Sequence, residues 1–436
     1  MKAPLKRLGA FVLSGLVSMA AAAADRPNIV LIISDDHAWT DYSFMGHPAI
    51  RTPHLDRLSR ESLTFTRGYV PSSLCCPSLA SIITGRYPHQ HRVTSNDPPR
   101  PAEMTPAAFY RSPAFTEGRE RMNHHLESVP TLPKLLGELG YLSLQTGKWW
   151  QGDFRRGGFT HGMTRGGRHG DDGLEIGRRT MQPIHDFIAS ARTEGQPFFV
   201  WYAPLLPHDP HTPPERLLER YRERTPSIHV ARYWAMIEWF DETVGGLLEH
   251  LDQQGLTRDT IVVYLADNGW IQSTDHPRYA PRSKQSPYDG GLRTPIMLRW
   301  PGKVTPRSSS ELASSIDLVP TLLGALGRKP EVDLPGIDLF DAKAVKARRA
   351  IFGECFTHDA VDLDRPAANL RWRWMIRGDW KLIVPDARNE PGGAIELYHL
   401  GRDPHEARNL ASPAARRADR MRIELDRWWD PTAGSR

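Results

Sequence analysis

With 436 residues, 56 lysines and arginines against 51 acidic residues, a formal net charge of +5 and three cysteines, the chain is long enough for one large α/β domain and a smaller appendage. Three cysteines exclude a disulfide-built scaffold, and beyond the first two dozen residues no run is apolar for long enough to span a bilayer. Basic and aromatic residues are not interleaved as in a nucleic-acid module, so nucleic acid is discounted as a partner, while the positive balance suits acidic ligands.

In chain order, residues 1–24 set Lys2, Lys6 and Arg7 ahead of an apolar stretch and a run of alanines, the pattern of a cleavable signal peptide. The mature chain is therefore expected without a membrane span, in the periplasm or outside the cell. Residues 28–36, NIVLIISDD, read as a strand buried on both faces that ends on Asp35 and Asp36. Leu55, Leu58 and Leu63 then mark a short amphipathic helix leading to a strand, the β-α-β start of a doubly wound sheet. In residues 72–85, SSLCCPSLASIITG, Pro77 suits the first helical position, and Leu79, Ile82 and Ile83 follow at helical spacing. Cys75 is expected just outside that helix, where unpaired backbone N–H groups attract a multiply charged anion such as sulfate or phosphate. Residues 96–123, rich in proline and polar side chains, read as an extended surface loop and a candidate substrate wall.

Residues 141–152, YLSLQTGKWWQG, predict a strand that delivers Lys148 to the same sheet edge, where a point charge can hold one oxygen of an anionic ester. The glycine-rich stretch 155–173 concentrates Arg155, Arg156, Arg165, Arg168 and His169, and reads equally as a specificity loop or a solvated insertion. PFFVWY at 197–202 is a further buried strand, followed by His208 and His211; residues 231–251 form a helix striped by Trp234, Ile237, Val244 and Leu248. Residues 260–269, TIVVYLADNG, repeat the first strand's arrangement and end on Asp267 and Asn268. In a parallel sheet the carboxyl ends of neighbouring strands face one crevice, so Asp35, Asp36, Asp267 and Asn268 converge there. Such a cluster repels itself without a cation, and an all-oxygen set favours Ca²⁺ or Mg²⁺ over zinc. Residues 315–326 predict a helix interrupted at Pro320, and beyond residue 336 shorter apolar runs, a hairpin turning at Gly378 and a closing helix at 413–429 indicate a small antiparallel subdomain. The expected division is 1–24 signal peptide, 25–335 catalytic domain and 336–436 C-terminal subdomain.

The paired aspartates after the first strand, Cys-x-Pro-Ser leading into a helix that ends Thr-Gly, TGKW at 146–149, ADNG before a downstream lysine and ELYHLGRDPHEARNLA at 396–411 together resemble the type I sulfatases. The resemblance runs through most of the chain. It implies an α/β, alkaline-phosphatase-like fold: a large, mostly parallel sheet flanked by helices, with a small C-terminal α+β subdomain containing an antiparallel sheet. It also implies a bound Ca²⁺ and a Cys75 oxidised to formylglycine by a formylglycine-generating enzyme. Residue 75 then joins Asp35, Asp36, Asp267 and Asn268 at the metal, Lys148 and Lys284 bind the sulfate, and His208 serves the leaving group. Two positions depart from the family pattern: Leu79 stands where an arginine is usual after Cys-x-Pro-Ser, and Trp150 where a histidine usually follows GKW.

The activity expected is hydrolysis of a sulfuric ester on a sulfated carbohydrate, with Arg168 and the turn at Asn96 lining a polar cleft. The alternatives are a phosphodiester or phosphonate monoester hydrolase with the same site, and a non-catalytic protein that binds sulfated glycans and keeps Cys75 as a thiol.

Overall fold

A computed structural model describes residues 26–329 and 333–433; the expected signal peptide lies outside the described residues. Strands β1 (Asn28–Ser34), β2 (Leu63–Tyr69), β3 (Leu142–Gly147), β4 (His161–Gly162), β5 (Phe198–Ala203), β6 (Thr260–Ala266), β7 (Arg293–Arg299) and β8 (Arg307–Ser314) form one sheet in the order β4-β3-β5-β1-β6-β7-β2-β8. Only β7 pairs antiparallel to its neighbours; the other pairings are parallel.

The apolar runs are continuous because side chains alternate between two covered faces. From β1, Ile29, Leu31 and Ile33 enter one core, while Val30 and Ile32 enter the other. On the first face lie helices α1 (Cys75–Thr84) and α4 (Leu318–Ala325); on the second lie α2 (Gln182–Thr193) and α3 (Ile228–Gln253). Each fully buried aliphatic or aromatic side chain in these layers contributes about 1.5–3 kcal/mol, so the sheet edge carrying the polar residues rests on a rigid base.

Register fixes what that edge presents. β1 pairs with β6 from Asn28↔Thr260 to Ser34↔Ala266, and with β5 from Ile29↔Phe199 to Ile32↔Tyr202. Asp35 and Asp36 therefore emerge beside Asp267 and Asn268, between the segments that follow β5 and β6. The helix after β1 packs Leu55 and Leu58 as its pattern predicts but ends at Arg60, so Leu63 is the first residue of the strand it feeds, β2, which lies three places from β1 in the sheet order.

Three local expectations need correction. Leu74, with extended backbone, is the N-cap of α1, so Cys75 is its first residue rather than lying outside it. Pro77 is accommodated as the third residue, because the N–H groups of the whole first turn lack helical partners anyway. Residues 96–123 are not all loop: a fifteen-residue helix, Pro113–Glu127, starts on Ser112, whose hydroxyl accepts from Phe115 N at 3.2 Å. Pro320 sits in the first turn of α4 and does not interrupt it.

The second sheet is antiparallel, in the order β12 (Glu396–His399), β11 (Trp380–Pro385), β10 (Leu370–Arg377), β9 (Ala350–Phe356). The β10–β11 hairpin pairs Arg377 with Trp380 around Gly378, whose φ of +59° suits glycine. Helix α5 (Ala415–Trp428) closes one face with Ala418, Met421 and Leu425. The opposite face is joined to the large sheet by a buried charge cluster. Lys381 Nζ lies 2.8 Å from both Asp289 Oδ1 and Glu406 Oε1, and Asp289 Oδ2 accepts from the Tyr69 hydroxyl at 3.0 Å. Lys381→Met keeps the volume but strands two carboxylates away from water, so it should lower the unfolding free energy by about 3–5 kcal/mol. Denaturant titration would show this, and a loss below about 1 kcal/mol would contradict a structural role for the cluster. Among the described residues, no helix is long and apolar enough to cross a membrane.

Candidate active site

At the carboxyl ends of β1 and β6, the backbone stitches the acidic residues together. Asp35 N donates to Leu206 O and His37 N to Asn268 O, while Asp36 turns through a left-handed φ of +63°. Asp267 Oδ1 accepts from the backbone N–H groups of Asp36 at 3.1 Å and Asn268 at 2.7 Å, and Asn268 Nδ2 donates to Asp36 Oδ1 at 2.6 Å. One carboxylate oxygen from each of Asp35, Asp36 and Asp267 falls within 4.8 Å of the others. All three residues are buried.

Two lysines and a histidine face this cluster. Lys148 Nζ, delivered by the end of β3, lies 2.6 Å from Asp35 Oδ1 and 3.6 Å from Asp267 Oδ2. Gly147 makes that delivery possible: its φ is +73°, and a Cβ there would stand 1.9 Å from the Ala203 carbonyl oxygen. Lys284 Nζ lies 2.7 Å from Asp36 Oδ2 and 5.5 Å from the Trp270 ring centroid. His208 Nε2 is 3.5 Å from Asp36 Oδ2, and its Nδ1 is 3.0 Å from Asp209 Oδ1. The His208 segment contains cis Leu206–Pro207 and Asp209–Pro210 bonds. His211 is instead buried against Tyr233 and Trp270.

Cys75, at the head of α1, places its sulfur within 4.8 Å of ligating atoms on Asp35 and His208. The helix it heads is buried along its whole length, and Ser78 Oγ anchors it to the Asp267 carbonyl at 2.5 Å. Leu79 is part of the core. Cys76 accepts from Gln151 Nε2 at 3.0 Å, and burial pushes its thiol up to about 11. Cys355 is a free, buried thiol near Ser73, so Cys76 and Cys355 do not pair.

Charge balance explains the titration behaviour. Burial pushes the Asp267 carboxyl up, and Asp35 adds to this, to about 7. Burial acts the same way on Asp36, but Lys284, His208 and Lys148 outweigh it and hold that group below its ordinary value. Burial disfavours a charged His208, yet Asp35 and Asp36 raise it to about 10. Lys148 is held charged by Asp35 against its own burial.

The donor set fits a divalent cation that prefers oxygen. Asp35 Oδ2, Asp267 Oδ2 and Asn268 Oδ1 are buried with no hydrogen-bond partner, a costly state for three neighbouring acceptors that a bound cation would relieve. The contacts hold neither a thiolate pair nor a histidine cluster that would favour zinc.

The two residues expected to line the substrate cleft are buried or braced. Asn96 Oδ1 accepts from Cys76 N at 3.0 Å, and its Nδ2 is 3.4 Å from His358 Nε2. Arg168 pairs with buried Asp97 through both arms of its fork, Nε to Oδ1 at 2.9 Å and Nη2 to Oδ2 at 2.7 Å. It lies 4.8 Å from the Trp150 ring and 5.0 Å from that of Tyr110. Sequence reasoning missed Asp97, and Arg119 over Trp150 at 5.4 Å; it also missed the approach of the 357–360 segment, where Asn96 N donates to His358 O at 2.9 Å. Nothing local in the sequence signals that last contact.

The family model described as Sulfatase matches residues 27–328, and the one described as N-sulphoglucosamine sulphohydrolase, C-terminal, matches residues 281–426. Human arylsulfatase A is 31% identical over 377 residues, covering 74% of this chain and 69% of its own length. Mouse N-acetylgalactosamine-6-sulfatase is 28% identical over 468 residues, covering 91% of this chain and 84% of its own. Among solved structures, BT4656 in complex with its substrate D-glucosamine-2-N,6-O-disulfate superposes with a TM-score of 0.70 at 20% identity, covering 93% of this chain and 99% of that one.

Proposed function

The chain belongs to the sulfatase family, in the alkaline phosphatase superfamily, and from that premise we propose that it releases sulfate from a sulfated carbohydrate, with Cys75 matured to formylglycine as the nucleophile. The observation that carries this reading is the convergence of Lys148, Lys284 and His208 on the aspartate cluster beside Cys75.

Asp35, Asp36, Asp267 and Asn268 would hold Ca²⁺, or Mg²⁺, together with residue 75; when bound, the ion supplies Lewis-acid polarisation of the sulfate and compensates the buried carboxylates. Formylglycine at position 75, made by a formylglycine-generating enzyme, supplies a hydrated aldehyde as the attacking group. Lys148 and Lys284 cradle the sulfate oxygens and stabilise the charge that builds on them as the ester breaks. His208, oriented by Asp209, is placed to donate a proton to the departing sugar oxygen. In this reading residues 25–335 form the catalytic unit and 336–436 the subdomain that closes it. Export to the periplasm or the medium belongs to the same proposal, supported by the charge and apolar pattern of residues 1–24.

The carbohydrate assignment draws on the relatives, one named for a sulfated amino sugar and one bound to a sulfated glucosamine. It is tested by comparing kcat/KM for sulfated oligosaccharides, a nitrophenyl sulfate and a phosphonate monoester under matched conditions. A sulfated oligosaccharide should be preferred, by at least about tenfold if binding of the sugar ring supplies 1.4 kcal/mol or more. Preference for the aryl sulfate would contradict the carbohydrate assignment, and preference for the phosphonate would make it a phosphonate hydrolase.

A further inference from the structure

A site that already gathers Lys148, Lys284 and His208 around the acidic cluster gains from a further hydrogen-bond donor, and His169 has the geometry of one. Its ring centroid lies 6.0 Å from that of His208, and it meets the Trp150 ring edge-on at 4.4 Å. Its carbonyl accepts from Trp149 N at 2.8 Å, which ties it to the segment leaving β3. Close contact between the two segments needs Gly170, since a Cβ there would stand 2.4 Å from the Gly147 carbonyl oxygen. His169 itself holds a left-handed φ of +78°, a conformation costing a non-glycine residue on the order of 1–3 kcal/mol and kept where surroundings dictate it.

The neighbours also select its tautomer. Arg168 Nη1 lies 2.8 Å from His169 Nε2, and because a guanidinium only donates, Nε2 accepts and the ring proton sits on Nδ1. Asp97, buried and bound to both other arms of the same guanidinium, fixes Arg168 in place. Burial, followed by the charges of Arg168, Lys148 and His208, holds the imidazole far below its ordinary value, so it is neutral. Nδ1 has no hydrogen-bond partner among the described residues, and the residue is only partly buried. On the same wall Trp150 Nε1 is fully buried, whereas His169 is partly exposed.

We propose that His169 is a substrate-contacting residue whose Nδ1–H donates to an oxygen of the bound sulfate group, and that Arg168 and Asp97 are positioning residues that fix its tautomer and place. The proposal rests on the sulfatase reading of this site, and it gives Arg168 an indirect part where the sequence suggested direct contact with the ligand.

Two readouts separate the proposal from that reading: binding of inorganic sulfate by calorimetry, and kcat/KM for sulfate release. His169→Gly relieves the left-handed backbone, so its melting temperature should not fall, yet kcat/KM should drop by about 10²-fold and sulfate binding should weaken by at least about tenfold. His169→Asn, which tolerates a left-handed backbone and offers an amide N–H near the Nδ1 position, should keep activity within about tenfold of the parent. Arg168→Gln should cost less than His169→Gly, and the double variant should be no worse than His169→Gly alone, since both act through one hydrogen bond. If His169→Gly binds and turns over within threefold of the parent, the proposal is overturned while the sulfatase reading stands. If the parent binds sulfate in a His169-dependent way but releases none from any ester, the contact stands and the sulfatase reading falls.

Discussion

Asp267→Asn should empty the metal site and lower kcat/KM by about 10³-fold or more, while the protein still folds. The magnitude follows from losing several kcal/mol of charge stabilisation at the sulfate, at 1.36 kcal/mol per factor of ten. Asparagine is the instructive replacement because its side-chain oxygen can still accept from the Asp36 and Asn268 N–H groups at the position Oδ1 now holds. Alanine would instead leave both donors buried and unpaired, at about 1–3 kcal/mol each. The charge is what changes, and with it the pH dependence of the metal-free protein. Burial, and next Asp35, push the Asp267 carboxyl up in the fold to about 7 from its ordinary 3.8. A raised carboxyl stabilises the folded state fully below the unfolded value, and that contribution is lost as pH rises through the folded one. After treatment with a chelator, the parent should therefore lose stability as pH climbs from 3.8 to about 7, and this component should be missing in Asp267→Asn. Elemental analysis showing parent-like metal stoichiometry in the variant would remove Asp267 from the ligand set.

Cys75→Ala should abolish sulfate release, by about 10⁴-fold or more, as removal of a nucleophile does in other hydrolases that form covalent intermediates. Cys76→Ala should cost far less. Both cysteines are buried, but only Cys75 brings its sulfur within 4.8 Å of the ligating atoms of Asp35 and His208, whereas Cys76 is turned to Gln151. Melting temperatures should barely change in Cys75→Ala, because the fold of α1 rests on Ile82, Ile83 and Leu79 in the core and on Ser78 anchored to the Asp267 carbonyl. Sulfate release by Cys75→Ala within tenfold of the parent would mean that another group attacks sulfur.

The acidic cluster was legible in the sequence because its residues follow strands buried on both faces, which read as unbroken apolar runs, and because parallel neighbours align their ends. The register of β1 on β6 then brings Asp35 and Asp36 beside Asp267 and Asn268 without further assumption. Lys148 was legible for the same reason, as the residue after β3. Asp97 was not, since its significance lies in a pairing with Arg168 across 71 residues. The approach of His358 to Asn96 spans 262 residues and depends on how the second sheet docks. The helix start at Cys75 lies two residues before the one its pattern predicts, because an extended Leu74 rather than a capping side chain sets the boundary. Residues 96–123 read as loop because proline and polar side chains dominate them, although Pro113 at a helix start is favourable and a helix runs from it to Glu127. Trp150 and Leu79 looked like losses in the sequence. In the fold, Leu79 completes the core and Trp150 is the surface against which Arg168 and His169 are arranged.

The most direct test is the mass of the tryptic peptide spanning residues 68–86, taken from active enzyme made in a host with formylglycine-generating activity. The peptide should carry an aldehyde at position 75, reactive toward a hydrazide probe, and an unmodified thiol at Cys76, with the modified fraction tracking sulfate release across preparations. An enzyme that releases sulfate at full rate while this peptide holds two intact cysteines would contradict the assignment of residue 75 as the matured nucleophile.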